Sequence, residues 1–220
     1  MARGSLKLKT AWLDIPLADY EAHMALPSVG QAQLIARSLG ELIRENRPQS
    51  AAIIGCAGGN GFEHLVGSTV RRAVGIDINS QYLERARERY AGIIPGLELY
   101  AADIQSRDTI FDPVDFIYAA LVLEYVDPQA ALPTLRRHCK TTGVFATLTQ
   151  LPHRSLGHVS GSPYTSLKRL EPLMQLVQPD ELVREAASAG FALEGVRTLA
   201  TAAGKEFALH LFRVESDHVI

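Results

Sequence analysis

Short apolar segments rich in β-forming residues alternate with segments of helical periodicity along this chain, and this alternation constrains the fold more than any other feature. Apolar residues recur at three- and four-residue steps in the predicted helices, which cover 31–45, 80–91, 128–138 and 179–189. The apolar segments between them predict strands at 51–56, 72–78, 97–101, 114–119 and 143–149. Repeated strand–helix–strand units of this kind indicate an α/β protein with a mostly parallel sheet.

The end of the chain departs from this pattern. Two β-rich segments, 191–199 and 207–214, are joined by a short turn. So short a connection predicts an antiparallel hairpin at one edge of the sheet. The length of 220 residues favours one domain. Within this single domain, 1–220, we expect an N-terminal arm at 1–30 and an irregular, proline-containing insertion at 150–178.

The charge balance and the lengths of the apolar segments exclude several classes of protein. With 22 lysine and arginine residues against 24 aspartate and glutamate residues, the net charge is −2, whereas a nucleic-acid binder needs a basic surface. No apolar segment approaches the ~20 residues that span a bilayer, and the N-terminal residues lack the apolar region of a signal peptide. Cys56 and Cys139 lie far apart and form neither a disulfide framework nor a zinc-binding pattern. The sequence therefore predicts a cytoplasmic protein that binds no nucleic acid, membrane or metal.

A glycine-rich loop directly follows the first predicted strand. Gly55, Gly58, Gly59 and Gly61 lie between this strand and the next helical segment. Glycines permit a sharp bend and a close approach of a ligand to the backbone, and the N–H groups of the following helix favour an anion. The loop matches neither the GxxxxGK[ST] pattern of P-loops nor the GxGxxG pattern of dinucleotide-binding proteins. A loop of this general type is shared by many nucleotide-binding folds.

Two acidic residues follow the next two strands. Asp77 lies at the carboxyl end of the second predicted strand, where a carboxylate can accept hydrogen bonds from both hydroxyls of a ribose. Ile78 beside it offers an apolar face to a purine, and Asp103, just after the third strand, can accept a hydrogen bond from an exocyclic amine. Because open α/β sheets bind ligands at the carboxyl edge of their strands, these residues predict a nucleoside site there.

Five segments in this order resemble class I S-adenosylmethionine-dependent methyltransferases over essentially the whole chain: IIGCAGGNG, VGIDIN with the LERAR helix, AADIQ, DFIYAALVLEYVD and FALHLFRV. The resemblance implies a Rossmann-like, seven-stranded, mostly parallel sheet with an antiparallel last strand and helices on both faces. It also implies S-adenosyl-L-methionine as the cofactor. Two positions depart from the family pattern, because Ile53 stands where the family has an acid and Ala57 where it has its middle glycine.

The same resemblance assigns roles to individual residues. Gly55, Ala57 and Gly59 would lie against the methionine portion of the cofactor, together with the segment from Ala119 to Leu121. Asp77 would hold the ribose and Asp103 the adenine amine. The two remaining positions would enclose the adenine ring between apolar side chains, namely Ile78 and Ile104.

The methyl acceptor is less well defined by the sequence. The motifs of enzymes that methylate exocyclic amines of nucleic acids or cytosine C5 are missing, and no acid ends the fourth strand as in the magnesium-dependent catechol type. A small molecule is therefore the expected acceptor, with proteins as the second choice. Substrate contacts in this fold come from 10–30, 119–128 and 150–175. Within these segments His23, Tyr125 and His153 are weak candidates for a catalytic residue, although each histidine is more often structural.

Three functions remain open at this point. The first is a methyltransferase for a small molecule, which we expect to act by in-line transfer. The second is a catalytically idle module that binds the cofactor for a partner protein or for sensing, a possibility that Ile53, Ala57 and the missing base allow. The third is a nicotinamide-dependent enzyme, against which the glycine spacing and the antiparallel hairpin argue. A homodimer is possible, and the acceptor atom stays open.

Overall fold

A computed structural model describes residues 11–152, 161 and 163–215. The helices that flank the sheet and position the site are α1 (Leu17–Ala25), α2 (Gln31–Asn46), α3 (Ser80–Tyr90), α4 (Pro128–Arg137) and α5 (Pro179–Ser188). The strands are β1 (Ser50–Ile54), β2 (Arg72–Asp77), β3 (Leu97–Ala101), β4 (Val114–Ala120), β5 (Cys139–Gln150), β6 (Phe191–Ala200) and β7 (Glu206–Val214). Short 3₁₀ helices occupy Phe62–His64, Leu123–Tyr125, Thr165–Arg169 and Glu171–Leu173.

The seven strands form one sheet in the order β3-β2-β1-β4-β5-β7-β6. Strands β1 to β5 are parallel, whereas β7 is antiparallel to both β5 and β6. The predicted fold class is therefore confirmed, including the antiparallel hairpin at the edge. Strand order reverses between β1 and β4, and a crevice opens at such a point beyond the carboxyl ends of the strands.

Two apolar layers cover the sheet, one on each face. Alternate residues of β1 belong to opposite layers, with Ile53 packed in the layer of α2 and α3 and Ile54 in the layer of α4 and α5. Leu39 and Leu42 of α2 are almost fully buried in the first layer, as is Leu182 of α5 in the second. Helices therefore lie on both faces, and the central strands are buried on both sides, as parallel strands usually are.

Three local features differ from the sequence prediction. Strand β5 begins at Cys139 instead of 143, because Cys139 pairs with Val114 before a register shift in β4. The glycine-rich loop leads into a single 3₁₀ turn, Phe62–His64, where a short helix was expected. The N-terminal arm contains helix α1, whose bounds the sequence analysis did not predict.

In residues 11–152, 161 and 163–215, no helix combines the length and apolar character that crossing a bilayer requires. Within those same ranges, no three histidine, cysteine, aspartate or glutamate side chains are grouped so that they could hold a metal ion.

Candidate functional site

A cavity of about 730 Å³ lies at the carboxyl ends of β1 to β4, where the strand order reverses. Its lining is mostly apolar with two carboxyl groups, as is typical of cofactor and small-molecule sites. Seven of the nine residues predicted to bind the cofactor line it: Gly55, Ala57, Asp77, Ile78, Asp103, Ile104 and Leu121. Among its described lining residues, the charged ones are Asp77 and Asp103, so the lining carries negative charge and no cation.

Asp77 is fixed at the end of β2 by two backbone donors. The N–H of Ala57 donates to its Oδ2 over 2.9 Å, and the N–H of Asn79 donates to its Oδ1 over 2.9 Å. Burial raises the pKa of Asp77 to about 6, and these hydrogen bonds partly offset the effect. Each carboxylate oxygen has further lone pairs for a ligand donor. The carboxylate therefore holds the glycine-rich loop and borders the cavity at the same time.

Asp103 is positioned by the residue two places later. Both the backbone N–H and the side-chain amide of Gln105 donate to Asp103 Oδ1, over 3.0 and 3.2 Å. The amide oxygen of Gln105 in turn accepts from the N–H of Asp127 over 2.9 Å. Asp127 caps α4 by accepting from the N–H of Gln129. This chain of hydrogen bonds connects the end of β3, beside the cavity, to the start of α4.

Backbone strain is concentrated at the cavity. Three non-glycine residues of the described chain have positive φ, and two of them line it: Ala57 at 46° and Leu121 at 55°. Such conformations are costly for residues with a Cβ and persist where surrounding contacts enforce them. For Ala57 the enforcing contact includes its hydrogen bond to Asp77. Strain of this kind is common at ligand sites, which supports the position of the site.

We expect Ala57→Gly to raise the free energy of unfolding by about 0.5–1 kcal/mol, because glycine adopts φ near +46° without steric cost. Chemical denaturation with urea measures this change. Ala57→Val is the matched control and should lower stability, because a branched Cβ is poorly tolerated at positive φ. Equal stabilities of the glycine variant and the wild type would contradict the assignment of strain.

Two of the predicted cofactor residues, Gly59 and Ala119, do not line the cavity. Gly59 has φ 91°, and a Cβ there would lie 2.7 Å from the ring of Tyr90 of α3. It therefore allows the loop to pack on the aromatic pair formed by Phe62 and Tyr90. Ala119 is fully buried and packs in the layer of α4, because alternate residues of β4 face opposite sides; its neighbour Ala120 lines the cavity instead.

The cavity also has lining residues to which the sequence assigned no individual role, among them Tyr82, Gln105, Val122 and Val126. Gln105 directly follows Ile104, and Tyr82 lies in the first turn of α3, two residues after that helix begins. The sequence signal that could have identified these residues is their position just after the ends of strands. Tyr82 also donates its hydroxyl to the carbonyl of Ile15 over 2.8 Å, which ties α3 to the N-terminal arm.

An aromatic wall closes one side of the cavity. The ring of Trp12 lies edge-on to those of Tyr20, at 5.6 Å between centroids, and Tyr125, at 5.2 Å. The carbonyl of Trp12 accepts from the side-chain amide of Asn79 over 3.1 Å, which fixes the arm against the end of β2. Trp12 and Tyr20 therefore cover the cavity and also attach the arm to the core.

A second cavity, of about 510 Å³, adjoins the first, and the three rings of this wall border both. Two of the three catalytic candidates line it, His23 and Tyr125, and Tyr125 borders both cavities. The third candidate, His153, lies outside the described residues. Glu124 is buried nearby and accepts from the N–H of Gln150, and burial raises its pKa to about 7.

Comparison with known proteins agrees with this geometry. Residues 53–147 match the family model described as a methyltransferase domain. This segment runs from β1 into β5 and includes the glycine-rich loop, Asp77 and Asp103. The comparison with curated proteins found no match. Residues 53–147 thus resemble a methyltransferase domain, and the predicted resemblance to class I S-adenosylmethionine-dependent methyltransferases is confirmed.

Solved structures of the same fold extend the likeness beyond that segment. The N-methyltransferase NodS from Bradyrhizobium japonicum WM9, in complex with S-adenosylhomocysteine, is 15% identical, with 84% of this chain and 87% of that chain covered and a TM-score of 0.63. Magnesium protoporphyrin IX methyltransferase (ChlM) from Synechocystis PCC 6803, with bound S-adenosylhomocysteine, is 16% identical, with 84% of each chain covered and a TM-score of 0.62. The [4+2]-cyclase SpnF is 14% identical, covers 81% of this chain and 80% of that chain, and has a TM-score of 0.63. At these identities the likeness establishes the fold.

Proposed function

We propose that this chain binds S-adenosyl-L-methionine in the larger cavity and transfers its methyl group to a small molecule. The observation that carries the proposal is the placement of Asp77 and Asp103 on one cavity at the reversal of strand order. Methyltransferases of the same fold contain S-adenosylhomocysteine in their solved structures, which supports the choice of cofactor. The cytoplasmic location, the homodimer and the single domain stay predictions.

The lining of the cavity fits this cofactor chemically. Asp77 is placed to accept hydrogen bonds from the ribose hydroxyls and Asp103 from the adenine amine. Ile78 and Ile104 provide apolar contacts for the ring, and Gly55 and Leu121 border the space for the methionine arm. A lining with two carboxylates and no described cation suits a positively charged sulfonium. It opposes the anionic pyrophosphate of a nicotinamide dinucleotide, which argues against the third function considered above.

The reaction requires little acid–base chemistry from the protein. When bound, S-adenosyl-L-methionine supplies a methyl group that is already activated. The residues of this chain have to hold the acceptor in line with that group and exclude water. The aromatic wall of Trp12, Tyr20 and Tyr125 is placed for both tasks, because its three rings border both the larger cavity and the second one.

Affinity for S-adenosylhomocysteine should depend on pH through Asp77. The carboxylate accepts the ribose hydroxyls in its ionised form, and its pKa without ligand is raised to about 6. Binding is therefore full above this pKa and is lost as the pH falls through it, by about tenfold at one pH unit below. Calorimetric titrations between pH 5 and pH 8 measure this dependence. Asp77→Asn should bind more weakly with no such slope; an equal slope in both proteins would contradict the assignment.

The choice of a small molecule over a protein has its own test. The chain is incubated with S-adenosyl-L-methionine carrying a radiolabelled methyl group and a cell extract, which is then separated into low-mass and protein fractions. We expect the label in the low-mass fraction, because the second cavity is a concave pocket lined mostly by apolar side chains, as small-molecule sites usually are. Label recovered mainly on protein would contradict this part of the proposal.

The alternative function, binding of the cofactor without methyl transfer, is kept for a specific reason. A cyclase shares this fold, so the fold does not by itself define methyl transfer. Ile53 and Ala57 also occupy positions where the family has an acid and a glycine. Tight binding of S-adenosylhomocysteine, with no label transferred to any fraction and a protein that copurifies, would favour this alternative.

A further inference from the structure

The second cavity has a composition that defines what it can hold. Its walls are mostly apolar and include Met24, Leu167, Leu170 and Met174. The polar side chains are uncharged amides, tyrosines and one histidine, and no aspartate, glutamate, lysine or arginine of the described chain lines it. Burying a charge without a partner is far more costly than burying a hydrogen-bonded neutral group. The cavity therefore favours an uncharged, largely apolar molecule.

The two cavities share four lining residues, so their contents would lie close together. Trp12, Tyr20, Leu121 and Tyr125 border both spaces. Leu121 also holds the strained backbone at the end of β4, beside the predicted position of the methionine arm. A molecule in the second cavity would therefore approach the larger cavity across this shared boundary.

His23 lines the second cavity and has a buried polar atom without a partner. The residue lies in α1 with only 5% of its surface exposed, and its Nδ1 is buried without a hydrogen-bond partner. Such an atom is costly unless a ligand or water satisfies it. Burial lowers the pKa of His23, and the positive charge of Lys205 lowers it further. The imidazole is therefore neutral at pH 7 and has a ring nitrogen able to accept a proton.

We infer that the second cavity binds the methyl acceptor, and that this acceptor is an uncharged, mainly apolar molecule with a hydroxyl group that donates to His23. The inference rests on the proposed function. In the reaction the acceptor oxygen bonds to the methyl carbon while the carbon–sulfur bond breaks, with its electron pair left on sulfur. The hydroxyl proton passes to His23. Aliphatic amines and carboxylic acids are charged at pH 7 and find no counter-charge in the described lining.

Three naphthalene probes of similar shape test the charge preference. Calorimetry measures the binding of 2-naphthol, naphthalene-2-carboxylate and 2-naphthylmethylamine to the wild-type chain saturated with S-adenosylhomocysteine. We expect 2-naphthol to bind at least about tenfold more tightly than either charged analogue. Equal or tighter binding of a charged analogue would overturn the inference, as would a failure of 2-naphthol to bind. Failure of S-adenosylhomocysteine itself to bind would contradict the proposed function, and this inference with it.

Variants of His23 test its role separately. His23→Phe should weaken 2-naphthol binding about tenfold or more and leave the affinity for S-adenosylhomocysteine unchanged. His23→Asn keeps a hydrogen-bonding group, so it should retain more of the binding but lose methyl transfer to 2-naphthol by about a hundredfold or more. His64→Phe, in a half-exposed histidine outside both cavities, is the matched control. Unchanged 2-naphthol binding in His23→Phe, or full methyl transfer in His23→Asn, would overturn the role of His23.

Discussion

Asp77→Ala should lower the affinity for S-adenosylhomocysteine by about 10- to 100-fold, because the ribose hydroxyls lose a charged acceptor. The variant also removes the acceptor for the N–H groups of Ala57 and Asn79, so the glycine-rich loop loses an anchor. Both effects act in the same direction on binding. Isothermal titration calorimetry measures the affinity, and thermal unfolding shows whether the variant is folded at the temperature used.

Two further variants separate the causes of this loss. Asp77→Asn keeps an oxygen acceptor but removes the charge, so its affinity should fall between those of the wild type and Asp77→Ala. Asp112→Ala changes an exposed aspartate outside the cavity and should bind like the wild type. An unchanged affinity in Asp77→Ala would place the nucleoside elsewhere and would contradict the proposed site.

Gly59→Ala should lower the free energy of unfolding by about 3 kcal/mol, from two causes that add. The residue has φ 91°, which is strained for any residue with a Cβ, and the added Cβ would lie 2.7 Å from the ring of Tyr90 and 3.2 Å from that of Phe62. These rings contact each other at 5.4 Å between centroids, so neither can move freely. Urea denaturation followed by circular dichroism measures the change.

Gly204→Ala separates the backbone term from the packing term. Gly204 has φ 85°, close to that of Gly59, but a Cβ there would meet no atom within 4 Å. This control should cost about 1 kcal/mol, since only the backbone strain remains. If both variants lose the same stability, then Gly59 does not serve the packing on Tyr90, and its predicted contact with the cofactor would again be the better explanation.

Local sequence patterns predicted most of the fold because the determining signals are local. The β-rich apolar segments predicted β1 to β7, the helical periodicity predicted the helices from α2 onward, and the short turn before β7 predicted the antiparallel pairing. The early start of β5 was not predictable in this way. It depends on Cys139 pairing with Val114, which is 25 positions away in the chain and lies across a register shift.

The residues of the candidate site also differ in whether local sequence signals could predict them. Asp77 and Asp103 were predictable because both follow a strand of a parallel sheet, and topology alone brings such ends to one edge. The contact of Gly59 with Tyr90 was not, since the loop sequence does not reveal which helix packs on it. His23 could be named as a candidate, but its burial depends on how α1 packs against α2 and the 3₁₀ helix Thr165–Arg169. The burial of His23 therefore depends on the tertiary packing of the N-terminal arm, which local sequence patterns do not predict.

Calorimetric titration of the wild-type chain with S-adenosylhomocysteine, and in parallel with NADH, tests the central claim most directly. The arrangement of two carboxylates and no described cation around the larger cavity predicts saturable binding of S-adenosylhomocysteine at one molecule per chain, with no heat from NADH beyond dilution. Binding of NADH without binding of S-adenosylhomocysteine would contradict the account. The absence of a binding heat with either ligand would also contradict it.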